Sequence, residues 1–278
     1  MIALLLAPAS SLAYGCADFL GGLGARKAHV LRTVTVAVPG SLVVELLLWP
    51  LLGATFNSGA VLWGAASGVA SAAAFTLAYR TLAIGPMNVL APVTALVSAA
   101  LPVLVGLLQG EELSTSASVG LPLALVAVVL VSAGPGAVSA RPSWKALVAA
   151  LGAGAAIALQ LIFLHQAPSG SGVAPLIIGR TVSSAITLTA AAALHGRLGE
   201  EKPAYLMSAA AGILDSLANL LFLIASRTGD LSIVAVIVAL YPSATVLLAR
   251  GVLHERIARG QLTGLATAAL AVTLLSIT

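Results

Sequence analysis

Two carboxylates fall deep inside apolar stretches, Glu45 in ELLLWPLL and Asp215 in GILDSLANLLF. An ionisable group at membrane depth costs about 2.5–3.5 kcal/mol on insertion scales, so each is a candidate for function. Asp215 has Asn219 one helical turn later on the same face, and the pair is expected to line a wet central cavity. Packing through hydrogen bonds to neighbouring hydroxyls is the bland alternative. Arg180 enters its own apolar stretch from the same side as Glu45 and reaches a similar depth. The two can form a gate or a static ion pair, or Arg180 can snorkel to the interface. A carboxylate held in this way can also take up and release a proton.

Further polar candidates surround these three. Ser71 stands at the position equivalent to Asp215 in the first half, with Ser67 one turn earlier. Tyr14, Tyr79, Gln160 and Tyr241 offer hydrogen bonds or stacking to a small ligand. The expected substrate contacts are therefore Tyr14, Ser67, Ser71, Tyr79, Gln160, Asp215, Asn219 and Tyr241. Asp18 joins Glu45 and Arg180 as a coupling or gating residue, or is simply a solvated helix end. Pro92, Pro102 and Pro242 free backbone carbonyls inside spans and are candidate hinges. No Asp-rich diphosphate motif or His/Cys metal cluster occurs, and Ser169-Gly-Ser-Gly172 lacks a nucleophile elbow. No catalytic residue, metal or cofactor is expected.

These residues need a membrane scaffold. The chain is 60% apolar and only 8% charged, against roughly 25% charged residues in soluble domains. Cys16 is the only cysteine, which excludes a disulfide scaffold. The net charge of +4 comes from scattered basic residues, so nucleic acid is not an expected partner. A spanning helix needs about 20 apolar residues. Ten such stretches are read at 2–25, 31–52, 59–83, 87–109, 117–136, 144–166, 173–195, 204–226, 231–251 and 260–277. None alternates as a β-barrel strand would. The first is expected to be a retained span rather than a signal peptide, since no basic residue precedes it.

With ten spans both termini lie on one side, here side A. Most of the Lys and Arg residues fall in loops on the opposite side B, among them Arg26, Lys27, Arg32, Arg141 and Arg197. Only Arg227 and Arg180 fall towards side A. The positive-inside rule then puts side B in the cytoplasm and both termini outside.

The halves resemble each other at a nearly constant offset. Phe19 matches Phe163, Gly68 matches Gly212, Gly85 matches Gly229, Glu111 matches Glu255 and Gly120 matches Gly264. Arg32-Thr-Val pairs with Arg180-Thr-Val. Five spans per repeat is an odd number, so the second half must be inverted relative to the first. The expected fold is an all-α membrane protein of ten transmembrane helices in two inverted five-helix repeats. The first repeat is read as 1–136, the linker as 137–143 and the second repeat as 144–278.

At this level the chain resembles the drug/metabolite transporter superfamily, specifically its ten-helix EamA-type members. The residues that carry the likeness are Tyr14-Gly-Cys-Ala-Asp18-Phe19-Leu-Gly-Gly-Leu, Arg32 opening the second span, and Gly110-Glu111 with His254-Glu255-Arg256-Ile after the fourth and ninth. Tyr14 stands where the family carries Trp, and Ser98 replaces the proline matched by Pro242. The resemblance implies a secondary transporter of the inner membrane that moves a small metabolite by alternating access, an amino acid or related compound, with export favoured. The expected partners are the substrate, the bilayer and a proton as candidate coupling ion. A monomer is expected over a dimer through the last span. The competing classes are a cation-selective channel or magnesium-type transporter and, more remotely, an intramembrane enzyme.

Overall fold

In a computed structural model, described residues are 2–25, 27–84, 87–133, 143–194, 198, 201–254 and 257–277. Of the positions named above, Arg26, Gly85, Arg141, Arg197, Glu255, Arg256 and linker residues 137–142 lie outside them. Tyr79 is on a described helix, but its side chain is also outside the description.

Apolar runs unbroken by polar faces become helices because lipid offers no partner to an exposed peptide group. They are α1 (Ile2–Ala25), α2 (Val30–Leu52), α3 (Ser58–Ile84), α4 (Met87–Leu108), α5 (Thr115–Ser132), α6 (Trp144–Gln166), α7 (Ala174–Ala193), α8 (Tyr205–Thr228), α9 (Leu231–Val238), α10 (Tyr241–Leu253) and α11 (Arg259–Ser276). Among the described residues nine stretches are long and apolar enough to cross a membrane, with α9 and α10 together counting as one. The tenth rod, α11, has 18 residues and is more polar at its start, where Arg259 and Gln261 stand. The fold is the expected ten-helix membrane bundle in two inverted sets of five.

One expected span differs in detail. The ninth is interrupted at Ala239–Leu240, where the Leu240 amide donates to the Ile237 carbonyl at 3.2 Å. Pro242, an expected hinge inside this span, stands in the first turn of α10 directly after the break. A missing N–H there removes no helical bond. Pro92 and Pro102 are buried within α4, which runs through both.

The two halves interlock. α1 packs on α8, and the equivalent pair across the repeat, α6 on α3, packs likewise. α2 on α8 is mirrored by α7 on α3, and α4 on α6 by α9 and α10 on α1. The remaining pairs, α2 with α7, α4 with α9 and α5 with α11, join each helix to its own repeat counterpart. This pattern is what a pseudo-two-fold axis between the halves requires.

Glycines set the closest crossings, because packing between helices in lipid depends on backbone approach. A methyl group at Gly68 of α3 would overlap the Gly179 carbonyl of α7. At Gly212 of α8, the matching position, it would overlap the Ala37 carbonyl of α2. Gly264 of α11 sits against Val131 of α5, whereas Gly260 faces open space.

Candidate functional site

The Gly212–Ala37 contact presses α8 onto α2 just before Asp215, so Ser216 reaches across and donates from Oγ to Oε1 of Glu45 at 3.2 Å. The Gly68–Gly179 crossing does the same for α7 and fixes the next residue, Arg180. Arg180 thereby lies between two acids. Its Nε is 3.5 Å from Glu45 Oε1, and its Nη2 donates to Oδ2 of Asp215. The side chains of Arg180 and Glu45 are 5% and 1% exposed, but that of Asp215 keeps 22%. The alternative in which Arg180 snorkels to the interface is not what the structure shows.

A row of polar bonds continues from the triad. Asn219 Nδ2 donates to the Asp215 carbonyl at 2.8 Å, and its Oδ1 accepts from Gln160 Nε2 at 2.9 Å. Ser67 Oγ donates to the Gln160 carbonyl at 3.2 Å. Ser67, Ser71, Gln160, Arg180 and Asn219 line a narrow cavity of about 10 Å³ between α3, α6, α7 and α8, room for about one water. Small-molecule pockets start at about 300 Å³, so a ligand of any size needs these helices to part. The Ser71 hydroxyl is buried there without a hydrogen-bond partner.

On the other flank of Asp215, the rings of Tyr14 and Tyr241 lie with centroids 6.4 Å apart at 55°. Tyr14 is within electrostatic reach of Asp215, Arg180, Asp18 and Glu45, and its hydroxyl has no hydrogen-bond partner. Asp18, one turn after Tyr14 on α1, is exposed. Tyr14, Tyr241 and Asp18 therefore fall together with Asp215, while Ser67, Ser71, Gln160 and Asn219 fall on its opposite flank.

The side-A ends of the helices are tied down. Val173 N donates to the Gly53 carbonyl at 2.9 Å and Thr55 N to the Ser171 carbonyl at 3.1 Å, forming a bridge between Ala54 and Gly172. Arg227 at the end of α8 donates to the Gly172 carbonyl at 3.0 Å, to Ser171 Oγ at 3.1 Å and to the Pro168 carbonyl at 3.2 Å. Glu111 accepts from the first two amides of α9, Leu231 at 2.5 Å and Ser232 at 3.0 Å. A carboxylate suits a helix N-terminus, where amides lack intrahelical partners and the dipole is positive. Asp230 stands beside it, and its carboxyl is pushed above the usual range by burial and by Glu111.

These side-A residues were the main omission from the sequence reading. Glu111 stands out in the sequence as a repeat match to Glu255 and as part of the family-like Gly110-Glu111, and Arg227 only as a basic residue on side A, neither as a clamp.

Residues 144–277 match the model of the EamA-like transporter family. The second half of the chain is thus similar to the EamA-like transporter family. The resemblance to EamA-type members of the drug/metabolite transporter superfamily therefore holds. None of the curated proteins matches the chain in sequence. One solved crystal structure, described simply as that of a protein, superposes with a TM-score of 0.78. It covers 99% of this chain and 96% of its own at 14% identity, which establishes the shared fold. The apolar rods make this a multi-pass membrane protein, and its second half resembles EamA-like transporters.

Proposed function

We propose that this EamA-type chain is a secondary transporter that exports a small polar or amphipathic metabolite, an amino acid or related compound, by alternating access. The observation that carries the reading is the cross-repeat triad of Glu45, Arg180 and Asp215 beneath the tied side-A ends. Glu45 belongs to one half and its two partners to the other, so relative motion of the halves would make or break the Glu45–Arg180 contact. Such a buried ion pair suits a gate with two discrete arrangements.

In this reading side A is outside, side B is the cytoplasm, and both termini face outward in the inner membrane. The side-A seal then corresponds to a state loaded from the cytoplasm. Substrate would contact Tyr14, Tyr241 and Asp215 first, and Ser67, Ser71, Gln160 and Asn219 once the void opens. Asp18 stands at the mouth. A proton is the proposed coupling ion, with Asp215 its carrier. The working arrangement is two repeats, 1–136 and 144–278, in a monomer.

The test is counterflow in proteoliposomes loaded with single metabolites. Saturable exchange that accelerates with solute on the far side supports a carrier, and flux without saturation or exchange identifies a pore. Arg180→Gln is expected to lower exchange at least tenfold. Proton dependence that survives in Asp215→Asn removes Asp215 from the coupling role.

A further inference from the structure

We infer that the central site receives the ammonium group of an organic amine bearing an aromatic or apolar body, bound between the Asp215 and Asp18 carboxylates and the Tyr14–Tyr241 pair. This rests on the transport reading above and narrows its substrate.

The argument begins with charge. Among the side chains that the structure describes, the charged ones lying more than one turn inside the helices are Asp18, Glu45, Arg180 and Asp215. That is three acids against one base. Arg180 reaches the narrow cavity on the Ser67 flank, but its guanidinium is already engaged by two of the acids and its side chain is only 5% exposed. The accessible charge is carboxylate, on Asp215 at 22% exposure and on the exposed Asp18. An anion entering here would meet like charge in a poorly screened environment, and to reach Arg180 it would have to displace both acids. A cation meets attraction from the first contact.

Two independent features point the same way. Glu45 Oε2 is fully buried beside Arg180 with no hydrogen-bond donor, so the triad holds more acceptor capacity than its one guanidinium fills. Tyr14 and Tyr241 set two aromatic rings beside the carboxylates. A ring face attracts a desolvated cation electrostatically and also covers an apolar body. Carboxylate for the charge and rings for the remainder is the chemistry of an arylalkyl ammonium ion.

The experiment compares three near-isosteric probes on the purified full chain by calorimetry: phenethylammonium, 2-phenylethanol and phenylacetate. Phenethylammonium is expected to bind at least tenfold more tightly than the other two. Asp215→Asn should weaken it at least tenfold and Asp18→Asn at least threefold, with circular dichroism confirming that both variants are folded. Binding of phenylacetate or 2-phenylethanol within threefold of phenethylammonium overturns the inference. So does unchanged ammonium affinity in both folded variants. Counterflow separates the two readings: exchange of neutral or anionic metabolites without ammonium binding sinks this inference and leaves the carrier, whereas ammonium binding without any exchange sinks the carrier alone.

Discussion

Arg180 of α7 lies 3.5 Å from Glu45 of α2 through Nε, while its Nη2 bonds Asp215 of α8. One guanidinium thus ties the second repeat to the first, with the Arg180 and Glu45 side chains almost wholly covered. Removing it leaves two acids facing each other without a counter-charge. Breaking such a buried pair costs about 3–5 kcal/mol, whereas neutralising both partners costs far less. Arg180→Ala is expected to unfold at markedly lower temperature in detergent, and Glu45→Gln combined with Arg180→Gln should recover most of the loss. A double variant no more stable than Arg180→Ala argues against the ion pair as the cause.

Glu111 holds the start of α9 by two charge-assisted bonds. Each such bond contributes about 1.5–3 kcal/mol. In Glu111→Ala the amides of Leu231 and Ser232 should exchange with deuterium at least tenfold faster, with Glu111→Gln intermediate because one carboxamide oxygen can still accept. Unchanged exchange at both amides would show that α9 is held by packing alone.

The pH response of the same corner follows from Asp230. Burial and the neighbouring Glu111 raise its carboxyl in the folded protein, against about 3.9 when unfolded. The folded state therefore holds this proton more tightly, and Asp230 makes its most favourable contribution below about pH 4. Stability should decline as pH rises through the interval between the unfolded and the raised folded value. Asp230→Asn should flatten that decline, seen in melting temperatures between about pH 3.5 and 6. A steeper decline in the variant would reverse the sign assigned here.

The matched glycines predict a graded series. Gly68→Ala and Gly212→Ala each force a methyl against a backbone carbonyl on the facing helix, and overpacking of this kind costs about 1–3 kcal/mol. Gly260→Ala meets open space and should stay within about 0.5 kcal/mol of the parent. Thermal melts that rank Gly260→Ala as the most damaging of the three would contradict the crossings described.

Arg227 makes the clearest test of the side-A closure. Its fork reaches Pro168, Ser171 and Gly172 together, and a lysine cannot reproduce that geometry. Arg227→Lys should raise thiol labelling of a cysteine placed at Thr55 severalfold. Equal labelling in parent and variant would show that the loop pairing needs no clamp.

Sequence alone determined the membrane setting, the helical class and the inverted repeat, because lipid excludes unpaired peptide groups and an odd number of spans per repeat reverses direction. It also singled out Glu45, Arg180 and Asp215, since rare charges stand out against an apolar background. Tertiary structure decided their partners. A soluble helix reveals its inner face by an apolar stripe, but here the outer faces are apolar too, so α2, α7 and α8 carry little record of how they are rotated. Glu45 with Arg180 was foreseeable from depth, whereas Arg180 with Asp215 required the glycine crossings at Gly179 and Gly212. Glu111 and Leu231 are far apart in the chain and meet only because the two halves interlock. Charge can be read residue by residue, but contact between helices depends on rotation and crossing, which only the assembled bundle fixes.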